Sequence, residues 1–434
     1  MKNGRKPVFG IFAEAAVYGS FYASQHLLPH CNIMSRLTSY LGSVSDAAIF
    51  SELRNTTMIP CQRYLFDIPE DIAYFNCAYM SPLLKNVVSA GQEGVARKAQ
   101  PWRITPPDFF AMPERARALF AKLINATADN IAIVPACSYG TATAAQNLPV
   151  SKGQKLLVLQ DQFPSNVYPW RELAKEREAE VETIYKGGND GWTTRILDAI
   201  TSETAIAAVP HCHWTDGSLI DLEAVSQRCH ENGTALVLDL TQSIGALPLD
   251  VQSIQPDFAV AAGYKWMMGP YTLGFLYVAP QHHDGRPLEH NWIARQGSED
   301  FARLVDYKID FQPGARRFDM GESANFSALP MAVAALEQLL EWGVDNIQAT
   351  LTDMTDRIAE RAAPLGLSAL APGDRAGHFL GLGFPGEVPT SLPERLAQKN
   401  VFVSMRGQSM RVTPHLYNND VDIKRLISVL ETAL

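Results

Sequence analysis

Leu236-Val237-Leu238-Asp239-Leu240-Thr241-Gln242-Ser243-Ile244-Gly245-Ala246-Leu247-Pro248-Leu249-Asp250 and Pro256-Asp257-Phe258-Ala259-Val260-Ala261-Ala262-Gly263-Tyr264-Lys265-Trp266-Met267-Met268-Gly269-Pro270 decide how this chain is read. Each begins with a short apolar run of the kind that forms a strand buried on both faces. Each run ends on or just before an ionisable side chain, Asp239 in the first and Lys265 in the second. A lone lysine at a strand end is most often solvated. A lysine and a carboxylate brought to neighbouring strand ends are a chemical pair, because an ε-amine condenses with an aldehyde and a carboxylate keeps a ring nitrogen protonated. Those are the two groups that a pyridoxal phosphate site requires.

Outward from this core, short apolar runs alternate with amphipathic stretches from Ile72 onward, the pattern of an α/β fold with a mostly parallel sheet. Seven strands are expected, over 131–135, 155–160, 181–185, 205–210, 235–239, 258–262 and 274–278. Helices are expected over 113–125, 167–179 and 221–232, with Pro113 as a first-turn signal and Asn232-Gly233 as a stop. Three segments follow from this: 1–57 as a poorly ordered extension, 58–320 as a large domain, and 321–434 as a small α+β domain. In the last, 329–342 reads as a helix leading into a mixed segment with strands near 378–384 and 408–413, and 420–434 as a terminal helix. The basic start and the apolar stretch 8–23 resemble a secretion signal only weakly, because Glu14 interrupts the apolar region.

A chain of 434 residues, 47% hydrophobic and 19% charged, is that of an ordinary folded protein. A net charge of −9 offers no basic footprint for nucleic acid, and no apolar run is long enough to suggest a membrane span. The six cysteines, at 31, 61, 77, 137, 212 and 229, lack the spacing of a zinc site or a disulfide framework. Reduced thiols, no metal and a cytoplasmic location are expected.

The two quoted stretches resemble the cofactor signature of the class V aminotransferase family, which also holds cysteine desulfurases, kynureninase and isopenicillin N epimerase. The resemblance runs from about Tyr74 to the C-terminus. It implies pyridoxal phosphate as cofactor, the fold type I architecture of a large cofactor domain with a smaller C-terminal domain, and a homodimer with active sites at the interface. It implies Lys265 as the cofactor lysine, Asp239 at the pyridine nitrogen, Gln242 at the phenolic oxygen, and Tyr264 at the phosphate.

Ser138-Tyr139-Gly140-Thr141, between a strand and a helix, is placed to hold the phosphate through helix N-terminal N–H groups and hydroxyls. Phe163 stands where desulfurases have histidine, and can stack on the ring without moving protons. In Pro210-His211-Cys212-His213-Trp214, His213 and Trp214 are expected in the pocket wall and His211 as a structural histidine. Ser409-Met410-Arg411-Val412-Thr413-Pro414-His415 resembles the family motif whose arginine takes the substrate α-carboxylate, which a guanidinium fork matches in two parallel hydrogen bonds. Gly321-Glu322-Ser323 resembles the loop that crosses from the partner subunit to the phosphate. Since Glu322 would be repelled there, Ser323 or backbone N–H groups are the expected contacts. Further pocket residues are expected near Asn76 to Tyr79 and in the loops of Arg295 and Arg316.

No cysteine follows Cys229, so the C-terminal thiol of the usual cysteine desulfurase is missing, and Phe163 replaces its ring histidine. Aminotransferase chemistry on an amino-acid α-carbon is therefore expected, with a β-lyase or a kynureninase- or epimerase-like reaction as the alternative. A non-catalytic scaffold on the same fold would show a broken catalytic set, whereas Lys265, Asp239 and Arg411 are all present.

Overall fold

The computed structural model describes residues 56–187 and 191–434, so the expected extension 1–57 lies outside the described residues except for its last two positions. In chain order, β1 (Ala73–Tyr74), α1 (Lys85–Lys98), α2 (Asp108–Leu123), β2 (Ile131–Val134), α3 (Cys137–Asn147), β3 (Lys155–Leu159), α4 (Tyr168–Arg177) and β4 (Glu180–Ile184) come first. They are followed by α5 (Trp192–Ala199), β5 (Thr204–Pro210), α6 (Leu222–Asn232), β6 (Ala235–Asp239), α7 (Val251–Ile254), β7 (Phe258–Ala262) and β8 (Gly274–Val278).

Strands β2 to β8 form one seven-stranded sheet in the order β2-β8-β7-β6-β5-β3-β4. The pairs among β3 to β7 are parallel, and β8 runs antiparallel to both β7 and β2. All the strands but β8 therefore end at the same edge, and their carboxyl-end loops gather there. Side chains alternate between two apolar layers: Ile131, Ile133, Leu157, Leu236 and Leu238 face one, Ala132, Val134, Leu156, Val158 and Val237 the other. Burial on both faces is why these strands read as unbroken apolar runs.

The rest of the chain forms α8 (Ala328–Trp342), α9 (Val344–Ala362), β9 (Leu380–Gly383), α10 (Leu392–Gln398), β10 (Val401–Phe402), β11 (Ser404–Arg406), β12 (Ser409–Val412) and α11 (Asp420–Ala433). Strands β11, β12 and β9 form an antiparallel sheet over a third apolar cluster that includes Ile358, Leu382, Met410 and Leu426. From the other end of the sequence, β1 pairs in parallel with β10, and Phe75 joins that cluster.

One local expectation needs correction. Helix α2 starts at Asp108 and not at Pro113, because the Thr105 N–H and hydroxyl both donate to Asp108 Oδ2, at 2.7 and 3.0 Å, and close the first turn there. Pro113 then lies inside the helix, where it lacks one backbone donor. The segment after Trp342 is mixed as expected, with β9 and β12 at the two expected strands, and it opens with a helix the sequence reading did not name, α9, which buries Ile347, Leu351, Met354 and Ile358 along one face. Gly343, at φ 76°, turns the chain between the two helices. The stop at Gly233 appears as expected, with that glycine left-handed at φ 68°.

Candidate active site

A cavity of about 410 Å³ opens where β2, β3, β5, β6 and β7 end, and among its lining residues are Ser138, Phe163, Trp214, Asp239, Gln242 and Lys265. A larger cleft, about 1170 Å³, lies against α5 and α6 and is lined by neither Asp239 nor Lys265, which both face the smaller space.

Lys265 follows β7 by three residues and is buried, 6% exposed. Its Nζ lies 5.4 Å from the centre of the Phe163 ring and 5.7 Å from that of Tyr264, with no hydrogen bond or ion pair among the described residues. Burial lowers its pKa from 10.5 to about 8; Asp239 opposes that shift and Arg411 adds to it. About a tenth of the amine is therefore neutral, and nucleophilic, at pH 7. Asp239 closes β6, also buried, and one of its oxygens accepts the Thr241 N–H at 3.0 Å. The Cys137 thiol adjoins Asp239, and burial followed by that carboxylate pushes its pKa well up.

Phe163 faces the lysine and meets Trp214 edge-on, with ring centres 5.5 Å apart at 84°. The Trp214 indole N–H donates to the Asp161 carbonyl at 2.6 Å, which fixes it as a wall. Gln242 lines the cavity with its amide partly used: Oε1 accepts from the Trp266 indole at 3.1 Å and Nε2 donates to the Ala78 carbonyl at 3.1 Å. One N–H of that amide is left over. Tyr264 also lines the space, tilted against the exposed Tyr271 at 4.6 Å, and burial pushes its pKa up to about 12.

Ser138 lies in the first turn of α3, whose N-cap Ala136 supplies no side-chain acceptor. The first N–H groups of that helix are thus free for an anion. Its neighbours point elsewhere. Tyr139 packs into the apolar layer beside Glu289, and Gly140 lies under the sheet, where a Cβ would come within 2.5 Å of Val260 Cγ2. That glycine is required for α3 to close on β7. His213 is likewise away from the cavity: it stacks on Trp192 at 5.2 Å and bonds Thr215 and the Gln160 carbonyl, at 2.6 and 3.1 Å. Ser323 is buried outside the lining of this chain's cavity, and Arg316 is tied to Glu114 and Asp129 at 2.6 and 2.7 Å.

Arg411, on β12, is 1% exposed and has no carboxylate partner among the described residues. Its Nε and Nη2 donate to Ser404 Oγ at 2.9 and 2.7 Å, and its Nη1 to the Trp214 carbonyl at 2.9 Å. Ser404 in turn donates to Asn76 Oδ1 at 2.9 Å. Burial and the nearby Arg406 draw the guanidinium pKa down, yet an arginine stays charged. A buried cation without an anion is costly, and it is the expected state of a carboxylate receptor awaiting its ligand. Ser404 and Arg406 escaped the sequence reading. The signal was Gly407-Gln408 between two short runs, a two-residue turn with Gly407 at φ 57° that sets Ser404 opposite Arg411.

Comparison with known proteins identifies the family. The family described as Aminotransferase class-V matches residues 107–423. An uncharacterized aminotransferase, YcbU, of Bacillus subtilis is 30% identical over 72% of this chain and 82% of its own length. A kynureninase of Deinococcus radiodurans is 27% identical over 70% of this chain and 74% of its own. Among solved structures, the apo cysteine desulfurase of Thermococcus onnurineus superposes with a TM-score of 0.75 at 20% identity, covering 87% of this chain and 98% of that one. A C-DES mutant with glycine covalently linked to its PLP cofactor gives 0.77 at 16% identity, over 85% and 98%. The chain belongs to the class V aminotransferase family and has its α/β fold.

Proposed function

We propose that this member of the class V aminotransferases, a pyridoxal phosphate enzyme acting at the α-carbon of an amino acid, carries its cofactor on Lys265 and performs aminotransferase-type chemistry. The observation that carries the assignment is the buried, unpaired Lys265 amine beside Asp239 and over the Phe163 ring. The residues present fit the group. Ser138 and the uncapped start of α3 supply donors for a phosphate, Tyr264 adds a hydroxyl beside it, Phe163 offers a ring face, and Asp239 offers a carboxylate for a ring nitrogen. Tyr139, Gly140 and His213 support those elements from behind and touch nothing in the cavity.

Bound pyridoxal phosphate supplies an electron-withdrawing ring that stabilises negative charge on the substrate α-carbon. Arg411 binds the substrate α-carboxylate in its guanidinium fork, and Ser404 holds that fork in place. Trp214 and Phe163 close the apolar side of the cavity and exclude water. Lys265, with its amine partly neutral, is placed to take the α-proton on Nζ and would return it at the former aldehyde carbon of the cofactor, two bonds from the α-carbon. The Asp239 carboxylate would face the ring nitrogen and hold its proton. The remaining N–H of Gln242 serves the phenolic oxygen. A homodimer in the cytoplasm completes the reading, with backbone N–H groups beside Ser323 of a second copy reaching the phosphate, since the Ser323 side chain is itself buried. Exposed Tyr79, Tyr271, Tyr307 and Ile309 supply apolar surface for such a contact, and the free thiols of Cys61, Cys77, Cys137, Cys212 and Cys229 suit a reducing compartment.

The test is the visible absorbance of the purified protein with pyridoxal phosphate, for wild type and Lys265→Ala, before and after addition of L-amino acids. The lysine-bound band is expected in wild type and absent in the variant. Loss of the band with one equivalent of keto acid formed supports transamination. Continuing release of ammonia or sulfide would make the enzyme a β-lyase, and no band in folded wild type would refute the assignment.

A further inference from the structure

Arg406 and Arg411 lie on one face of the β11–β12 hairpin. The register pairs Ser404 with Arg411 and Arg406 with Ser409, and side chains of an antiparallel pair share a face at every second residue. Both guanidinium groups lie against the Trp214 ring, at 5.5 Å for Arg406 and 5.8 Å for Arg411. Neither has a carboxylate within ion-pair distance among the described residues, so two like charges share one aromatic wall uncompensated.

One carboxylate does not satisfy both. Arg411 spends three of its five N–H groups on Ser404 Oγ and the Trp214 carbonyl, which leaves one on each Nη, a single fork for a single carboxylate. Arg406 spends one N–H on the Met405 carbonyl and keeps the rest. Trp214 separates the cofactor cavity from a second space of about 710 Å³, which Arg406, Ser409 and Ser368 also line. In that outer groove the Ser409 hydroxyl is buried without a hydrogen-bond partner, a further group awaiting a ligand. The two acids of the groove leave the arginine available: Asp216 is paired with Lys186 at 2.6 Å, and Asp161 is exposed.

We propose that the substrate is a dicarboxylic α-amino acid, its α-carboxylate on Arg411 and its side-chain carboxylate passing Trp214 to Arg406 and Ser409. This rests on the cofactor reading given above and names the substrate class of that same site. Trp214 sits between the two anions as a spacer, and its ring rewards both cations.

The experiment uses the full-length protein loaded with pyridoxal phosphate and follows the change of its visible band on titration with L-aspartate and L-glutamate, and with L-asparagine and L-glutamine as neutral isosteres. Half-saturation for an acid is expected at least about tenfold lower than for its amide, the size of a charge-assisted contact. Arg406→Gln should bring that ratio close to unity, and Arg406→Lys should restore part of it, which a merely structural residue would not do. Thermal unfolding and retention of the band check that each variant is folded. Equal half-saturation for acid and amide in wild type, a ratio that survives Arg406→Gln, or no response to either acid while other amino acids respond, overturns the proposal alone. A folded wild type that takes up no cofactor overturns the reading beneath it as well.

Discussion

His415→Phe should flatten the acid sensitivity of this fold. His415 is fully buried among Trp266, Trp342 and Tyr417, with ring centres 6.1, 6.2 and 5.9 Å away, and neither of its nitrogens has a hydrogen-bond partner. Burial lowers its pKa from 6.5 to about 3, with His378 adding to the shift. His378, also fully buried, is lowered to about 4 by burial, with Arg375 adding to the fall and the bond between its Nε2 and the Gln242 carbonyl, at 2.7 Å, opposing it. Both rings are neutral in the folded state and titrate normally once unfolded. The unfolded chain therefore binds more protons below pH 6.5, so the stability they contribute is present above that value and is lost as pH falls toward the folded pKa values. Each ring then costs about 1.4 kcal/mol per pH unit, or about 2 kcal/mol at roughly pH 5 relative to neutral pH. Phenylalanine fills the same aromatic slot and removes one of those protons. Urea unfolding at a series of pH values should show the variant gaining about 2 kcal/mol on wild type between about pH 7 and pH 5. Carboxylate titrations cancel in that difference. A difference that stays flat over this range would refute the neutral, buried assignment of His415.

Ser404→Ala removes the oxygen that accepts two N–H groups of Arg411, and should weaken amino-acid binding about tenfold or more, seen in the titration of the cofactor band, with the fold intact. Gly140→Ala drives a methyl into Val260 and should cost about 1–3 kcal/mol in thermal unfolding, whereas the folded fraction should still take up cofactor, since Gly140 faces away from it. Arg117→Ala strips the partner from Asp319, a buried carboxylate that also accepts the Ile133 N–H at 2.8 Å, and should destabilise by about 3–5 kcal/mol; a loss under about 1 kcal/mol would show that the pair is solvated. Lys265→Arg keeps the charge but supplies no neutral amine, so amino-acid turnover should fall by at least about a thousandfold in a keto-acid assay while the protein stays folded.

How much was readable follows from the range of the interactions involved. The seven strands of the large sheet were legible because each is buried on both faces, and a run such as Ala235 to Leu238 carries that burial in its own composition. Asp239 and Lys265 were legible because both stand at the ends of such runs. Helix α9 was missed although Ile347, Leu351, Met354 and Ile358 repeat at helical spacing, because polar residues such as Thr350, Thr352 and Thr355 dilute that signal. Ser138-Tyr139-Gly140 read as one cradle, yet on a helix successive residues point about 100° apart, so Ser138 lines the cavity, Tyr139 does not, and Gly140 lies against the sheet. His213 and Trp214 diverge because a turn begins between them, closed by the Gly217 N–H on the His213 carbonyl at 2.8 Å.

The sequence alone determined the alternation of strand and helix, the chemistry of a lysine and a carboxylate at strand ends, and an arginine near the C-terminus suited to a carboxylate. These are properties of single segments, set by composition and period. Only the tertiary structure decided that the Lys265 amine is buried and unpaired, that Gln242 is partly engaged by Trp266 and Ala78, that Ser404 holds Arg411, and that Arg406 shares the face of Trp214 with it. Each of those depends on groups far apart in the chain, and on desolvation, which exists only once they are packed together.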